Sequence, residues 1–303
     1  MHMKVLVVSG FLGSGKTTFI KEMANQTRQN FVVLENEYAD VDIDGELLKD
    51  SPLSVWELTE GCICCSMKAD FATSILTISN SFSAEYLIVE PTGVGSLGAI
   101  MDNIGKVSYE RIEILDPIAL VDIHCLDEYT TTFDELYRDQ IRNAGTILLS
   151  KIEDSSSDAI ERAIQTLRGI NDDSDIPTTH YTTQPLEWWN GLLNKAWIPG
   201  HLKTIENDEH PDLDQASYVG FSVKTMNEFL VKLQFLLRGT FGKIYRAKGY
   251  FPVEGEWARF DVVNDRYVIE QCDPFEESRM VVIGKDLNRK YLRKVFVENE
   301  KLF

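Results

Sequence analysis

Gly10-Phe-Leu-Gly-Ser-Gly-Lys16-Thr17 sets glycines, a lysine and a hydroxyl at the spacing G-x-x-x-x-G-K-[ST]. It follows an apolar run and opens a helical pattern, the context in which this spacing grips phosphate. Glycines at 10, 13 and 15 let the backbone curl, so that the N–H groups around Ser14 and the start of the helix converge on phosphate oxygens. Lys16 is expected on the β- and γ-phosphates and the Thr17 hydroxyl on Mg²⁺, with Thr18 next to it in the first helical turn.

Two further strand ends suit the same ligand. Leu87-Ile-Val-Glu90-Pro-Thr-Gly93 ends an apolar run in a carboxylate, the residue type that holds Mg²⁺ and its waters beside a triphosphate. Gly93 stands where its N–H would approach a γ-phosphate. Thr146-Ile-Leu-Leu-Ser150-Lys151-Ile-Glu153 ends in a polar tetrad. A carboxylate at Glu153 would accept from the N1–H and N2 amine of guanine, with the Lys151 stem over the ring and Ser150 beside it. Adenine lacks those donors, so GTP is the expected nucleotide. A polar strand end without a ligand is the plainer alternative.

Cys62-Ile-Cys64-Cys65 places three of the five cysteines within four residues. Neighbours this close do not make a disulfide framework. Three soft thiolates suit one thiophilic ion, Zn²⁺ by default, with a fourth position left open for exchange. Small buried hydrophobes and a redox-sensing thiol group are the alternatives. The acidic stretch Glu35–Gly45 follows the second strand, where hydrolases of this kind keep a loop that responds to the γ-phosphate. Glu37, the candidate catalytic residue of this loop, or Asp42 could also contribute to a metal at the cysteines.

The elements that must position these groups are legible from hydrophobic pattern. Apolar runs at Val5–Val8, Phe31–Leu34, Tyr86–Val89, Pro117–Val121 and Thr146–Leu149 read as strands buried on both faces of a parallel sheet. Phe19, Ile20, Met23 and Ala24 form one helical stripe, and Phe71, Ile75 and Ile78 another. The expected fold class is α/β: a phosphate-loop nucleotide hydrolase domain over 1–184 with a mostly parallel sheet. A connector over 185–216 follows, rich in Pro, Gly and acid, with a short helix near Trp188–Leu193 and both tryptophans packing at a domain seam. Residues 217–303 read as a smaller α+β domain. Its strands are Tyr218–Val223, Lys243–Pro252, Trp257–Val263, Tyr267–Glu270 and Met280–Ile283, and its helices Asn227–Leu237 and Asn288–Val297. Asn264-Asp265 is a hairpin turn by residue type.

Charge separates the two parts. Residues 217–303 hold 15 Lys/Arg and 12 Asp/Glu, leaving 15 and 36 of the chain's 30 and 48 for the rest. A net charge of −18 argues against nucleic acid, whose recognition rests on neutralising phosphates. No run approaches the ~20 apolar residues of a membrane helix. The start of the chain has no basic region or cleavage site, so a cytoplasmic location is expected.

The order of Gly10–Thr17, Glu35–Gly45, Gly61–Cys65, Glu90–Gly93, Asp139-Gln140-Ile141 and Ser150–Glu153 resembles the CobW-type GTPases, of the group that includes HypB and UreG. Arg246-Ala-Lys248-Gly249 and Val281–Leu287 are similar to runs in the CobW C-terminal domain. The resemblance implies GTP hydrolysis coupled to delivering a metal ion or metallocofactor to a client metalloprotein. It implies Lys16 and Thr17 on phosphate and Mg²⁺, and Glu90 as the Mg²⁺-associated carboxylate. Ser150, Lys151 and Glu153 would face the base, and Cys62, Cys64 and Cys65 would hold the transferred metal. Ser150 and Glu153 stand where that group carries Asn and Asp. A nucleotide-switched binding module with little turnover is the second reading and a small-molecule kinase the third. A homodimer is left open.

Overall fold

The computed structural model describes residues 3–35, 54–57, 75–79, 84–106, 111–199 and 213–298. Glu37, Asp42, Cys62, Cys64 and Cys65 lie outside the described residues. The chain divides into two compact units, the first reaching to residue 199 and the second running from 213 to 298 within the described residues.

The first unit is a parallel sheet with strands in the order β3-β2-β4-β1-β6-β7 and β5 beside the start of β1. The strands are β1 Met3–Gly10, β2 Phe31–Glu35, β3 Ser54–Glu57, β4 Tyr86–Glu90, β5 Ile112–Ile114, β6 Ile118–Asp122 and β7 Thr146–Ser150. All five expected strands are present. β3 and β5 go beyond the sequence reading, being four and three residues long, too short to show a period. β4, β6 and β7 are buried at every position, which is why their sequences are continuous apolar runs rather than alternating ones. The register pairs Glu35 with Glu90, Gly10 with Leu120 and Asp122 with Ser150. Their carboxyl ends therefore lie along one edge, where open α/β sheets bind ligands.

Helix α1, Lys16–Thr27, lays Phe19, Ile20, Met23 and Ala24 against the sheet, as their spacing predicts. Ile75 and Ile78 of the second stripe are also buried. The expected connector is shorter than 185–216. Residues 186–192 form a helix whose Trp189 is fully buried and stacks on Phe19, ring centroids 5.5 Å apart. Lys4 donates to the Leu193 carbonyl, and Leu115 bridges to Ala196. An indole of this size contributes most when fully buried, and here it closes the core of the first unit rather than a seam between two. Pro211 and the acidic run from Glu206, which also suggested a linker, lie outside the described residues apart from the run's last members.

The second unit is an antiparallel sheet in the order β11-β10-β9-β12-β8. Its strands are β8 Asp214–Val219, β9 Lys243–Val253, β10 Glu256–Val263, β11 Arg266–Cys272 and β12 Arg279–Lys285. Helices Met226–Leu237 and Arg289–Phe296 pack on one face through Phe229, Leu233, Leu236, Leu292, Val295 and Phe296. β8 begins upstream of the expected strand: Gly220 takes a positive φ of 72° and ends it, so Phe221 and Val223 reach the core from the turn beyond. Asn264, with φ 54°, forms the expected two-residue turn with Asp265.

Candidate nucleotide site

β1 delivers its last residues into a loop that must reverse direction and present N–H groups. Gly10, Gly13 and Gly15 take φ of 146°, 70° and 93°, a conformation that L side chains resist. No side chain caps α1 at Gly15, so the N–H groups of its first turn are left for an anion. Lys16 is buried and curls back over the loop, its Nζ donating to the carbonyls of Gly10 at 2.8 Å and Phe11 at 3.4 Å. Phe11 anchors the loop from below, packed among Tyr129, Phe133 and Tyr137.

Thr17, in the first turn of α1, and Glu90, the last residue of β4, come together. The Thr17 hydroxyl donates to the Glu90 carboxylate at 3.1 Å, and the carboxylate is itself buried. Around them the hydroxyls of Ser9, Ser14 and Thr92 are buried without a hydrogen-bond partner among the described residues. Such orphaned groups are costly in a folded protein. A hydroxyl-carboxylate pair beside buried oxygen donors fits hard-cation and phosphate chemistry, so the residues present suit Mg²⁺. Thr17 and Glu90 would hold it through oxygen. When bound, the ion neutralises phosphate charge, and the chain's own part is to fix those two oxygens beside Lys16 and the loop.

Gly93 lies against the loop from the Glu90 side. A Cβ there would stand 2.7 Å from the Leu12 nitrogen and 2.9 Å from its Cα. Only glycine permits this approach, which brings the segment after Glu90 against the phosphate loop. That segment is held from behind by residues to which spacing gave no role. Gln140 donates to the carbonyls of Gly93 at 3.1 Å and Gly95 at 2.9 Å. Asp139 accepts from the Gly98 N–H at 3.1 Å and from Asn143 at 2.8 Å. Both are buried on the helix Asp134–Arg142, and burial pushes the Asp139 carboxyl above its ordinary range. The available signal was two adjacent polar residues on the buried stripe of Leu136, Tyr137 and Ile141.

The expected base-reading residues stand together at the ends of β6 and β7. Lys151 adopts φ 58° and pairs with the buried Asp122 at 2.7 Å, which fixes its stem along the edge. Ser150 is buried and its hydroxyl donates to the Val121 carbonyl at 3.3 Å, tying β7 to β6. Glu153 extends into solvent, with the His180 Nε2 at 3.4 Å. The structure thus brings Gly10–Thr17, Glu90 and Gly93 into one site and Ser150, Lys151 and Glu153 onto the same sheet edge. Among the described residues no group of three or more His, Cys, Asp or Glu is arranged to hold a metal. No described helix is long and apolar enough to cross a membrane.

Comparison with known proteins agrees with this geometry. The CobW/HypB/UreG nucleotide-binding domain matches residues 4–177, and the cobalamin synthesis protein CobW C-terminal domain matches 221–298. The zinc chaperone YjiA of Escherichia coli is 27% identical over 96% of this chain and 97% of its own. The zinc chaperone YeiR of the same organism is 32% identical over 52% of this chain, a match that spans 49% of YeiR. The crystal structure of Zn(II)-bound YjiA GTPase from E. coli aligns over 99% of this chain and 100% of that one, at 22% identity with a TM-score of 0.48. The phosphate loop, the carboxylate that faces it and the two matched domains make this chain a P-loop GTPase of the CobW/HypB/UreG family.

Proposed function

We propose that this GTPase couples nucleotide turnover to binding a divalent metal, Zn²⁺ in the first instance, and handing it to a client metalloprotein in the cytoplasm. The observation that carries the reading is the hydrogen bond from the Thr17 hydroxyl to the buried Glu90 carboxylate, next to Lys16, which equips the chain to bind Mg·GTP. Its full-length similarity to a protein named a zinc chaperone supplies the metal. Under this reading Cys62, Cys64 and Cys65 hold the transferred ion, and Glu37 responds to the γ-phosphate. Ser150, Lys151 and Glu153 read the base. Residues 1–184 would form the GTPase domain and 217–303 the second domain.

The test is linkage between the two ligands. Zn²⁺ affinity, measured by competition with a chelator, is expected to differ between the GTP-analogue and GDP states by about five- to 150-fold. Changing Cys64 and Cys65 to Ser should abolish the difference while leaving nucleotide affinity intact. Identical Zn²⁺ isotherms in both nucleotide states would overturn the metal cycle and leave a GTPase with an incidental thiol cluster.

A further inference from the structure

The second unit ends its sheet on an exposed strand. β11 pairs with β10 and, among the described residues, with no other strand. Its central residues Tyr267 and Val268 are 48% and 57% exposed. An open strand edge invites pairing with another chain; β11 carries no proline and no bulge in its pairing with β10, and its two charges, Arg266 and Glu270, are of opposite sign.

The hairpin fixes which backbone groups face outward. Val263 and Arg266 flank the two-residue turn and face each other, so the Arg266 N–H closes the turn toward β10. Alternation then directs the backbone groups of Val268 and Glu270 to β10, and those of Tyr267, Ile269 and Gln271 to the open edge. Side chains alternate too. Tyr267 and Ile269 lie opposite Val262 and Phe260 on the face that carries the helices. Arg266, Val268 and Glu270 share the other face with Arg259, which donates to Glu270 at 2.6 and 2.8 Å.

Read in both directions about Val268, this strand complements itself. An antiparallel second copy centred there sets Arg266 against Glu270 of the second copy, and Glu270 against its Arg266. Tyr267 falls opposite Ile269 in the same way. Opposite charges and aromatic–β-branched pairs are both favourable across strands. The register also meets the backbone requirement, because Tyr267 and Ile269 both present outward N–H and C=O groups. We infer that the open edge of β11 is a homodimerisation surface, joining the second units of two chains into one continuous sheet about a two-fold axis at Val268. The interface is isologous, so each favourable pair occurs twice. It is independent of the nucleotide and metal assignments above.

The full chain tests this. Val268 would face itself across the axis in a non-hydrogen-bonded pair, with Cα atoms about 4.5 Å apart, inside the disulfide range. Under mild oxidation the Val268→Cys chain is expected to give a covalent dimer in which peptide mapping links position 268 to itself. Gln271→Cys would place its thiols about 20 Å apart and should give no such link. Sedimentation of the unsubstituted chain should show dimer, Arg266→Glu should weaken it about tenfold, and adding Glu270→Arg should restore it. A chain that stays monomeric at about 100 µM overturns the inference. So does a dimer indifferent to Arg266→Glu, or a Val268→Cys chain that crosslinks no faster than Gln271→Cys. If the double substitution fails to fold by circular dichroism, the two cysteine variants decide.

Discussion

The Thr17 hydroxyl donates to both oxygens of Glu90, at 3.1 and 3.3 Å, across 73 residues of sequence. One group opens the helix after the phosphate loop and the other ends the neighbouring strand β4, parallel to β1. Their meeting follows from strand order: with β4 beside β1, the carboxylate arrives at the loop without any special turn. Glu90→Gln keeps the shape and removes the charge. Phosphate release is expected to fall on the order of a hundredfold, the scale of losing one electrostatic group from a preorganised site. Nucleotide affinity without Mg²⁺ should change little. A Mg²⁺ titration of turnover in both proteins checks this, and unimpaired turnover in a folded variant would refute the role of Glu90.

Gly93→Ala is expected to damage the phosphate loop from outside it. The added methyl would meet Leu12 backbone atoms at 2.7 and 2.9 Å, and backbone cannot swing aside as a flexible side chain can. A cost of about 1–3 kcal/mol in stability is expected, with nucleotide affinity reduced at least tenfold as the loop shifts. Gly169→Ala is the matched control. It lies in the helix Ser157–Ile170, and beyond its chain neighbours and the helix's own backbone nothing stands within 4 Å of an added methyl, so it should be neutral or mildly stabilising. Thermal unfolding and nucleotide titration of the pair separate a general glycine effect from the contact at Leu12.

Much of this arrangement was open to sequence reasoning because it rests on local chemistry. The phosphate loop needs glycines at fixed offsets, and strands buried on both faces need unbroken apolar runs. What escaped rests on long-range packing. Gln140 reaches Gly93 across 47 residues, and nothing near either residue announces the bond. Trp189 sits in a stretch whose prolines and acids read as linker, yet its ring fills the space over Phe19. Ser150 stands where a base-binding Asn was the expected comparison, and its hydroxyl is spent on the Val121 carbonyl. The second unit was legible almost strand by strand, since β10 alternates between buried and half-buried positions while the central β9 and β12 are nearly continuous buried runs. There the error was confined to β8, where Gly220 stops the strand earlier than the apolar pattern does.

Asp139 makes a pH-dependent contribution whose sign follows from its burial. Desolvation holds its carboxyl above the ordinary value, against the hydrogen bonds of the Gly98 N–H and the Ser96 side chain. The folded state therefore keeps the proton more tightly than the unfolded chain does. Stability from this group is fully present below the unfolded pKa and is lost as pH rises through the folded one. Asp139→Asn removes the titration. It also turns one oxygen that accepts from Gly98 or Asn143 into a donor, so the variant should be less stable at every pH. The gap between the two proteins is expected to narrow as pH rises through the acid range. Urea midpoints of both proteins at several pH values measure it, and a gap that widens with pH would refute the assignment.

The last prediction concerns the choice of base. Lys151 is fixed by its pairing with Asp122, and Glu153 follows two residues later at the same sheet edge, its side chain 64% exposed. A guanine lying over the Lys151 stem would place its N1–H and N2 amine within reach of that carboxylate, whereas adenine would leave the carboxylate without donors. GTP should therefore bind more tightly than ATP. The margin is expected to be about tenfold, below what two buried hydrogen bonds to a charged acceptor would give, because an exposed carboxylate gives up good solvation to make them. Glu153→Gln should erase most of the preference by weakening GTP and leaving ATP unchanged. ITP, which keeps N1–H and lacks the N2 amine, should fall between the two in the unsubstituted protein and separate one bond from two. Asp122→Asn should weaken GTP and ATP together, since it frees the Lys151 stem without touching the carboxylate. Calorimetric titration of the three nucleotides against the three proteins tests each step. Equal GTP and ATP affinity in the unsubstituted chain would remove Glu153 from base recognition and leave the Lys151–Asp122 pair as a brace between β6 and β7.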